Sequence, residues 1–230
     1  MWQLSPTETS AALLSLRVAA ESVLIGLPAA LAAALLLARR PWRGRLLLDT
    51  VVHLPLVLPP VVVGYLLLSL LGARSPAGHW LASTLGVHLP FTAHGAALAT
   101  AVMTLPLLVR AIRLSREQVG EDLLEAARLL GAGPFDRFVS VTLPLIGPGL
   151  LAGTVMAFAA SLGEFGAVIT FAGNVPGETQ TLPLALYSAL DSATGEAAAW
   201  RIALVSISLG AAGFVLAEVL SRHLARRFGR

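Results

Sequence analysis

Apolar residues in this chain gather into long runs instead of alternating with polar ones. Five runs stand out, from about Ala11 to Ala38, Leu46 to Leu71, Ala93 to Val109, Leu145 to Phe171 and Ala197 to Leu220. Runs of roughly 20 apolar residues match the helix length that crosses a hydrocarbon core about 30 Å thick. The pattern predicts an all-α integral membrane fold, a single domain over residues 1–230 with five spans. Between the third and fourth spans, about residues 110–144, the chain is too polar to cross. Yet Leu123, Leu124, Ala127 and Leu130 recur there at helical spacing. A short amphipathic helix is expected to end at Gly131, because glycine tolerates the left-handed conformation at a helix C-terminus. A second short segment should run from about Pro134 back to the membrane at Pro144.

Composition agrees with that division. Apolar residues make up 56% of the chain and charged ones only 13%, about half of what an average soluble domain carries. Mean hydropathy is +0.79. The basic balance does not point to nucleic acid, because the arginines sit at the ends of the apolar runs. Cysteine is absent, which excludes disulfides, thiolate metal sites and thiol redox chemistry in this chain. Lysine is absent too, all 16 basic residues being arginine. A Walker-type phosphate loop needs a lysine that reaches the β- and γ-phosphates, so ATP, if it drives this protein, binds another subunit. No cofactor is expected on this chain. The first 16 residues hold no basic residue and no small-residue cleavage pattern until Arg17, so a cleaved signal peptide is not expected.

The arginines also orient the spans. Arg39, Arg40, Arg43 and Arg45 separate the first two, Arg110, Arg113, Arg116, Arg128 and Arg137 separate the third and fourth, and Arg222, Arg226, Arg227 and Arg230 follow the fifth. The other flanks hold almost none: none in residues 1–12, Arg74 alone in 72–92, none in 174–196. Arginine-rich flanks are cytoplasmic, which puts the N-terminus outside and the C-terminus in the cytoplasm.

Within the second span, Pro55, Pro59 and Pro60 fall in six residues. Proline removes a backbone donor and clashes with the preceding turn, and freed carbonyls in a membrane must be buried in protein or line a wet cavity. A bent or broken helix is expected, either as a plain kink or beside a translocation path. Arg17 and Glu21 stand four apart on the first span and can pair. Glu164, flanked by Gly163 and Gly166, is an intramembrane acid and so a functional candidate.

The loop carries the most specific pattern. Glu125, Ala126 and Ala127 are followed by three residues, Gly131, nine residues, Val141, one residue, then Leu143 and Pro144. This resembles the EAA signature of ABC importer permeases, with Val141 where isoleucine is usual. An ordinary interfacial amphipathic helix is the alternative for a lone Glu-Ala-Ala. Beyond the loop, Leu48-Asp49, His53 to Leu68, Arg110 to Leu114, Ala157 to Gly166 and Asn174 to Thr181 resemble molybdate ABC transporter permeases. The resemblance covers about Leu13 to Arg222. Sulfate and tungstate permeases share the loop and versions of the Ser161 to Gly166 segment, so those features do not fix the cargo.

That resemblance implies a type I importer core with cytoplasmic coupling helices in a prokaryotic inner membrane. Its expected partners are a second copy of the chain, ABC ATPase subunits on the loops and an extracytoplasmic oxyanion-binding protein. Glu125, Ala126, Ala127, Gly131, Leu143 and Pro144 would couple to the ATPase. Pro59, Pro60, Ser161, Gly163, Glu164 and Gly166 would line or gate the path, with Ser161, Gly163 and Gly166 able to offer hydroxyl or N–H groups to an oxyanion. A carboxylate in the path of a dianion would repel it, so Glu164 reads better as a joint or gate than as a direct contact. A secondary transporter or channel would instead show internal repeats, and none is visible. A membrane enzyme needs clustered Ser, His, Asp or metal ligands. Here His79, His88 and His94 lie on or beside one outer loop, read as solvated in preference to metal-binding.

Overall fold

The computed structural model describes residues 4–39, 42–193 and 195–228, and every regular element among them is helical. Helix α1 (Pro6–Leu37) starts in a capping box: Ser5 Oγ accepts from the Glu8 N–H, and the Glu8 carboxylate accepts from the Ser5 N–H at 2.8 Å. Helices α2 (Arg45–Val57) and α3 (Pro60–Leu71) follow, and their axes diverge by 120°. The second span is therefore not one helix from Leu46 to Leu71. Pro59 and Pro60 have no N–H to offer the preceding turn. The residues before each proline, Leu58 at ψ 143° and Pro59 at ψ 135°, are extended as that position demands.

Helix α4 (Pro76–Leu85) occupies what reads in the sequence as loop, capped by Ser75 with Pro76 in its first turn. Helix α5 (Ala93–Glu117) runs eight residues past the expected end at Val109. Arg110, Arg113 and Arg116 thus lie on the helix, with its polar end emerging from the membrane. Helix α6 (Glu121–Leu129), the four-residue α7 (Pro134–Arg137) and a π-helical turn (Phe138–Thr142) form the loop. Pro144 cannot donate to the preceding turn, and the Leu143 N–H reaches back five residues to the Phe138 carbonyl. Helix α8 (Leu143–Leu162) ends at Gly163, and α9 (Gly166–Phe171) begins after a short break. The expected fourth span, Leu145 to Phe171, is thus interrupted at Gly163–Phe165. Helix α10 (Leu182–Leu190) was not legible as a helix, and α11 (Glu196–Phe228) closes the fold.

Among the described residues, four helical stretches are long and apolar enough to cross a membrane, Pro6–Leu37, Ala93–Glu117, Pro134–Leu162 and Glu196–Leu216; α2 and α3 together supply a fifth, broken one. This is a multi-pass membrane protein. Its centre is α5, which touches α1, α2, α3, α8 and α9. Helices α1 and α5 run parallel, Glu21 meeting His94 and Gly26 facing Ala101. Lipid tails are as apolar as leucine, so close packing of small residues holds such helices together. A Cβ at Gly153 would stand 2.9 Å from Ala111 Cβ, and one at Gly149 would stand 2.6 Å from Ser115 Cβ, so α8 rides directly on α5. Val23, Ala30, Ala34 and Leu37 of α1 join Leu108, Val109 and Ile112 of α5 and Ile146 and Ala157 of α8 in the main core.

One ion pair ties the start of α1 to the start of α11. Arg201 on α11 donates from Nη2 to Glu8 Oε1 at 2.7 Å, with the Glu8 side chain only 6% exposed. The Arg17–Glu21 pair on α1 is equally short at 2.7 Å but lies at the surface, Arg17 being 55% exposed. Removing Arg201 strands the buried Glu8 carboxylate, whereas Glu21 keeps a second partner in His94 when Arg17 is removed. Arg201→Ala is therefore expected to lower the unfolding temperature in detergent clearly more than Arg17→Ala. Equal shifts in a thermal melt would contradict that ranking.

Candidate functional site

The structure brings the two broken helices together. A Cβ at Gly166 would stand 2.7 Å from Pro60 Cβ and 3.2 Å from the Val61 nitrogen. On the other side, a Cβ at Gly64 would meet the Ala167 carbonyl oxygen at 2.6 Å and Thr170 Cβ at 2.8 Å. Two glycines, one on each helix, let α3 lie backbone to backbone on α9. The break after Leu58 and the break at Gly163–Phe165 thus form one joint. Pro59, Pro60 and Gly163 are exposed in it, and Glu164 is half-buried.

Glu164 acts inside that joint. Its Oε1 accepts from the Ala167 N–H at 3.0 Å, so the carboxylate caps the start of α9. The N–H groups of Gly163 and Glu164 are already bonded to the Ala160 and Ser161 carbonyls. Ser161 does not face the joint. Its buried hydroxyl donates to the Ala157 carbonyl at 2.7 Å and lies 2.9 Å from Ser22 Oγ, joining α8 to α1. The expectation that Ser161 and Gly163 offer donors to an oxyanion is corrected accordingly: the Ser161 hydroxyl is spent between helices and the Gly163 N–H is bonded within its own turn. Gly166 packs its Cα against Pro60 at the first residue of α9.

The second constellation is the loop. The α6 helix closes in a paired-bond turn: the Ala132 N–H reaches the Ala127 carbonyl and the Gly131 N–H the Arg128 carbonyl, each at 3.0 Å. Gly131 sits at φ +89° with nothing within 4 Å of a would-be Cβ. Around this turn Leu129, Leu130 and Phe135 are 83%, 88% and 79% exposed. Glu125 and Ala126 are exposed beside them, and Ala127 is half-covered. Leu143 packs against the main core and anchors the returning strand of the loop, while Pro144 is exposed at the start of α8. Leu129, Leu130 and Phe135 are thus left uncovered by the described residues of this chain.

Among the described residues no three metal-ligating side chains come together. His94 Nδ1 lies 3.0 Å from Glu21 Oε2, apart from His79 and His88. Reading the sequence missed three features. These are the packing of α3 on α9 through Gly64 and Gly166, the Glu8–Arg201 pair, and an ion network of Asp49, Arg113 and Glu117 between α2 and α5. Local spacing covers only part of these, Ser5-x-x-Glu8 for the cap and Arg113 with Glu117 four residues on.

Residues 26–226 match the family described as the binding-protein-dependent transport system inner membrane component, and the chain belongs to that family. Among curated relatives, it is 50% identical over 227 residues to the molybdenum transport system permease protein ModB of Escherichia coli (strain K12), covering 99% of each chain. The corresponding protein of Haemophilus influenzae is 48% identical over 97% of each chain. In fold, the chain superposes on a membrane chain of a bacterial ABC transporter that imports the acidic polysaccharide alginate, with a TM-score of 0.72 at 17% identity. That match covers 99% of this chain and 82% of the other.

Proposed function

We propose that this chain is the path-forming permease subunit of an ATP-driven molybdate importer. The observation that carries the reading is the loop. A glycine-terminated helix bearing the Glu125-Ala126-Ala127 pattern holds Leu129, Leu130 and Phe135 in solvent, a surface that fits the groove of a separate ATPase subunit. The absence of lysine supports the same division of labour, with hydrolysis on the partner. Full-length similarity to two permeases named for molybdenum supports the cargo. An extracytoplasmic binding protein would deliver it, and two copies of this chain would enclose the path. Movement of the loops by the ATPase would open and close the joint of α3 and α9, with Glu164 holding the cap of α9 and not touching the anion. The chain itself binds no cofactor in this scheme.

The test is uptake into vesicles that contain this chain, its ATPase and its binding protein. Molybdate should enter only with ATP on the ATPase side, in preference to sulfate when both are offered. Uptake by the permease alone, driven by an ion gradient, would return the protein to the secondary-transporter class.

Orientation is tested separately in the natural cysteine-free background. Glu178→Cys should react with an impermeant maleimide added outside, and Leu130→Cys only after the membrane is opened. The reverse pattern would invert the proposed topology.

A further inference from the structure

Where α2 crosses α5, an open cleft of about 470 Å³ is lined by Asp49, Thr50 and His53 from one helix and Arg110, Arg113 and Glu117 from the other. Arg113 Nη1 donates to Asp49 Oδ1 and Oδ2 at 3.4 and 3.5 Å, and Arg113 Nε donates to Glu117 Oε1 at 2.9 Å. His53 Nδ1 lies 3.1 Å from Asp49 Oδ1. One planar guanidinium thus holds two carboxylates from two helices, a geometry that arginine's fixed fork favours.

The network stands between the two constellations already described. Glu117 is the last residue of α5, directly before the turn into α6. Asp49 and His53 lie on α2, whose chain enters the break at Leu58. Helix α2 also touches α1, and Leu48 packs against the main core, but the apolar face it buries is narrow. Val52 and Pro55 are its only buried residues, while Leu46, Leu47, Val51 and Val57 are each more than half exposed. A helix held by a thin apolar stripe and one ion network moves with whatever that network is attached to.

We propose that Asp49, Arg113 and Glu117 are positioning residues that carry displacement of the loop to the Pro59–Pro60 break. Motion of α6 swings the end of α5, Arg113 carries α2 with it, and α2 turns α3 against α9 where Gly64 packs on Ala167 and Gly166 on Pro60. The inference rests on the reading of the chain as an ATP-driven permease. It adds a route between two sites that no direct contact joins, and a route of this kind requires an element that both sites bias.

The experiment uses the complete complex in vesicles, with oxyanion uptake and ATP hydrolysis measured in the same preparation. Asp49→Ala and Arg113→Gln should retain the ATPase subunit and hydrolyse ATP, while the anion carried per ATP falls about fivefold or more, the range of ordinary allosteric coupling. Asp49→Glu should recover most of that ratio. Loss of complex and hydrolysis together at a constant ratio would make the network merely structural and overturn the proposal. So would a parent-like ratio in Asp49→Ala, or an Asp49→Glu variant as poor as the alanine. If the parent complex moves sulfate and not molybdate, the cargo assignment fails, and the ratio measured with sulfate still tests the network.

Discussion

Gly131→Val should leave the permease folded in the membrane yet cut recovery of the ATPase subunit about tenfold or more, the change that 1.4 kcal/mol produces. No clash is involved, since nothing lies within 4 Å of a Cβ at this position. The cost is conformational. At φ +89° a side chain meets its own backbone, a penalty of about 1–2 kcal/mol for ordinary residues and heavier for a β-branched one. The turn relieves it by leaving the left-handed region, which breaks the bonds to Ala127 and Arg128 and redirects Leu129, Leu130 and Phe135. Asparagine tolerates that region, so Gly131→Asn should be much milder. Glu125→Ala should lose less than Gly131→Val, because Glu125 is exposed and its loss leaves the turn intact. The measurement is co-purification of the ATPase beside a thermal melt of the permease alone. A valine variant that captures the ATPase like the parent would remove the loop from the coupling scheme.

Gly64→Val should have the opposite signature, damaging the permease itself. Its Cβ would fall 2.6 Å from the Ala167 carbonyl oxygen and 3.0 Å from Ala167 Cα, atoms of backbone that cannot rotate aside. Overpacking costs about 1–3 kcal/mol and occasionally more; with backbone on the far side, the upper end applies, about 3 kcal/mol. Gly166→Val should behave alike, against Pro60. Gly147→Ala is the control, with open space around it and a small gain in helix propensity expected. A melt of the purified permease reads all three. Similar melting for Gly64→Val and Gly147→Ala would mean that α3 and α9 do not meet as described.

What could be read from the sequence was what is decided locally. The break at Pro59 and Pro60 was legible because a missing N–H acts within one turn. Its 120° angle was not, since where α3 goes depends on its packing against α9, about a hundred residues later in the chain. Gly131 was legible as the end of α6 because helix periodicity stops there and glycine is the residue that ends it. Glu8 announced a capping box with Ser5, but Arg201 lies 193 positions away and nothing near it names its partner. Ser161 misled for the same reason. Beside two glycines it reads as a ligand group, and only the packing of α8 on α1 reveals Ser22 opposite it. Helices α4 and α10 escaped because short helices give hydropathy too little length to register, although Ser75-Pro76 held a start signal.

The shortness of α3 has a consequence for the bilayer. Its 12 residues extend about 18 Å, well below the roughly 30 Å of a hydrocarbon core. A face of Val61, Tyr65, Leu66 and Leu70 left to lipid would require the bilayer to thin beside it, and mismatch of that kind carries a cost for every ångström. Pairing two such faces removes both from lipid at once. Membrane thickness thereby becomes a force for association, so longer acyl chains should draw two copies together more tightly than short ones, with no change in any contact between them.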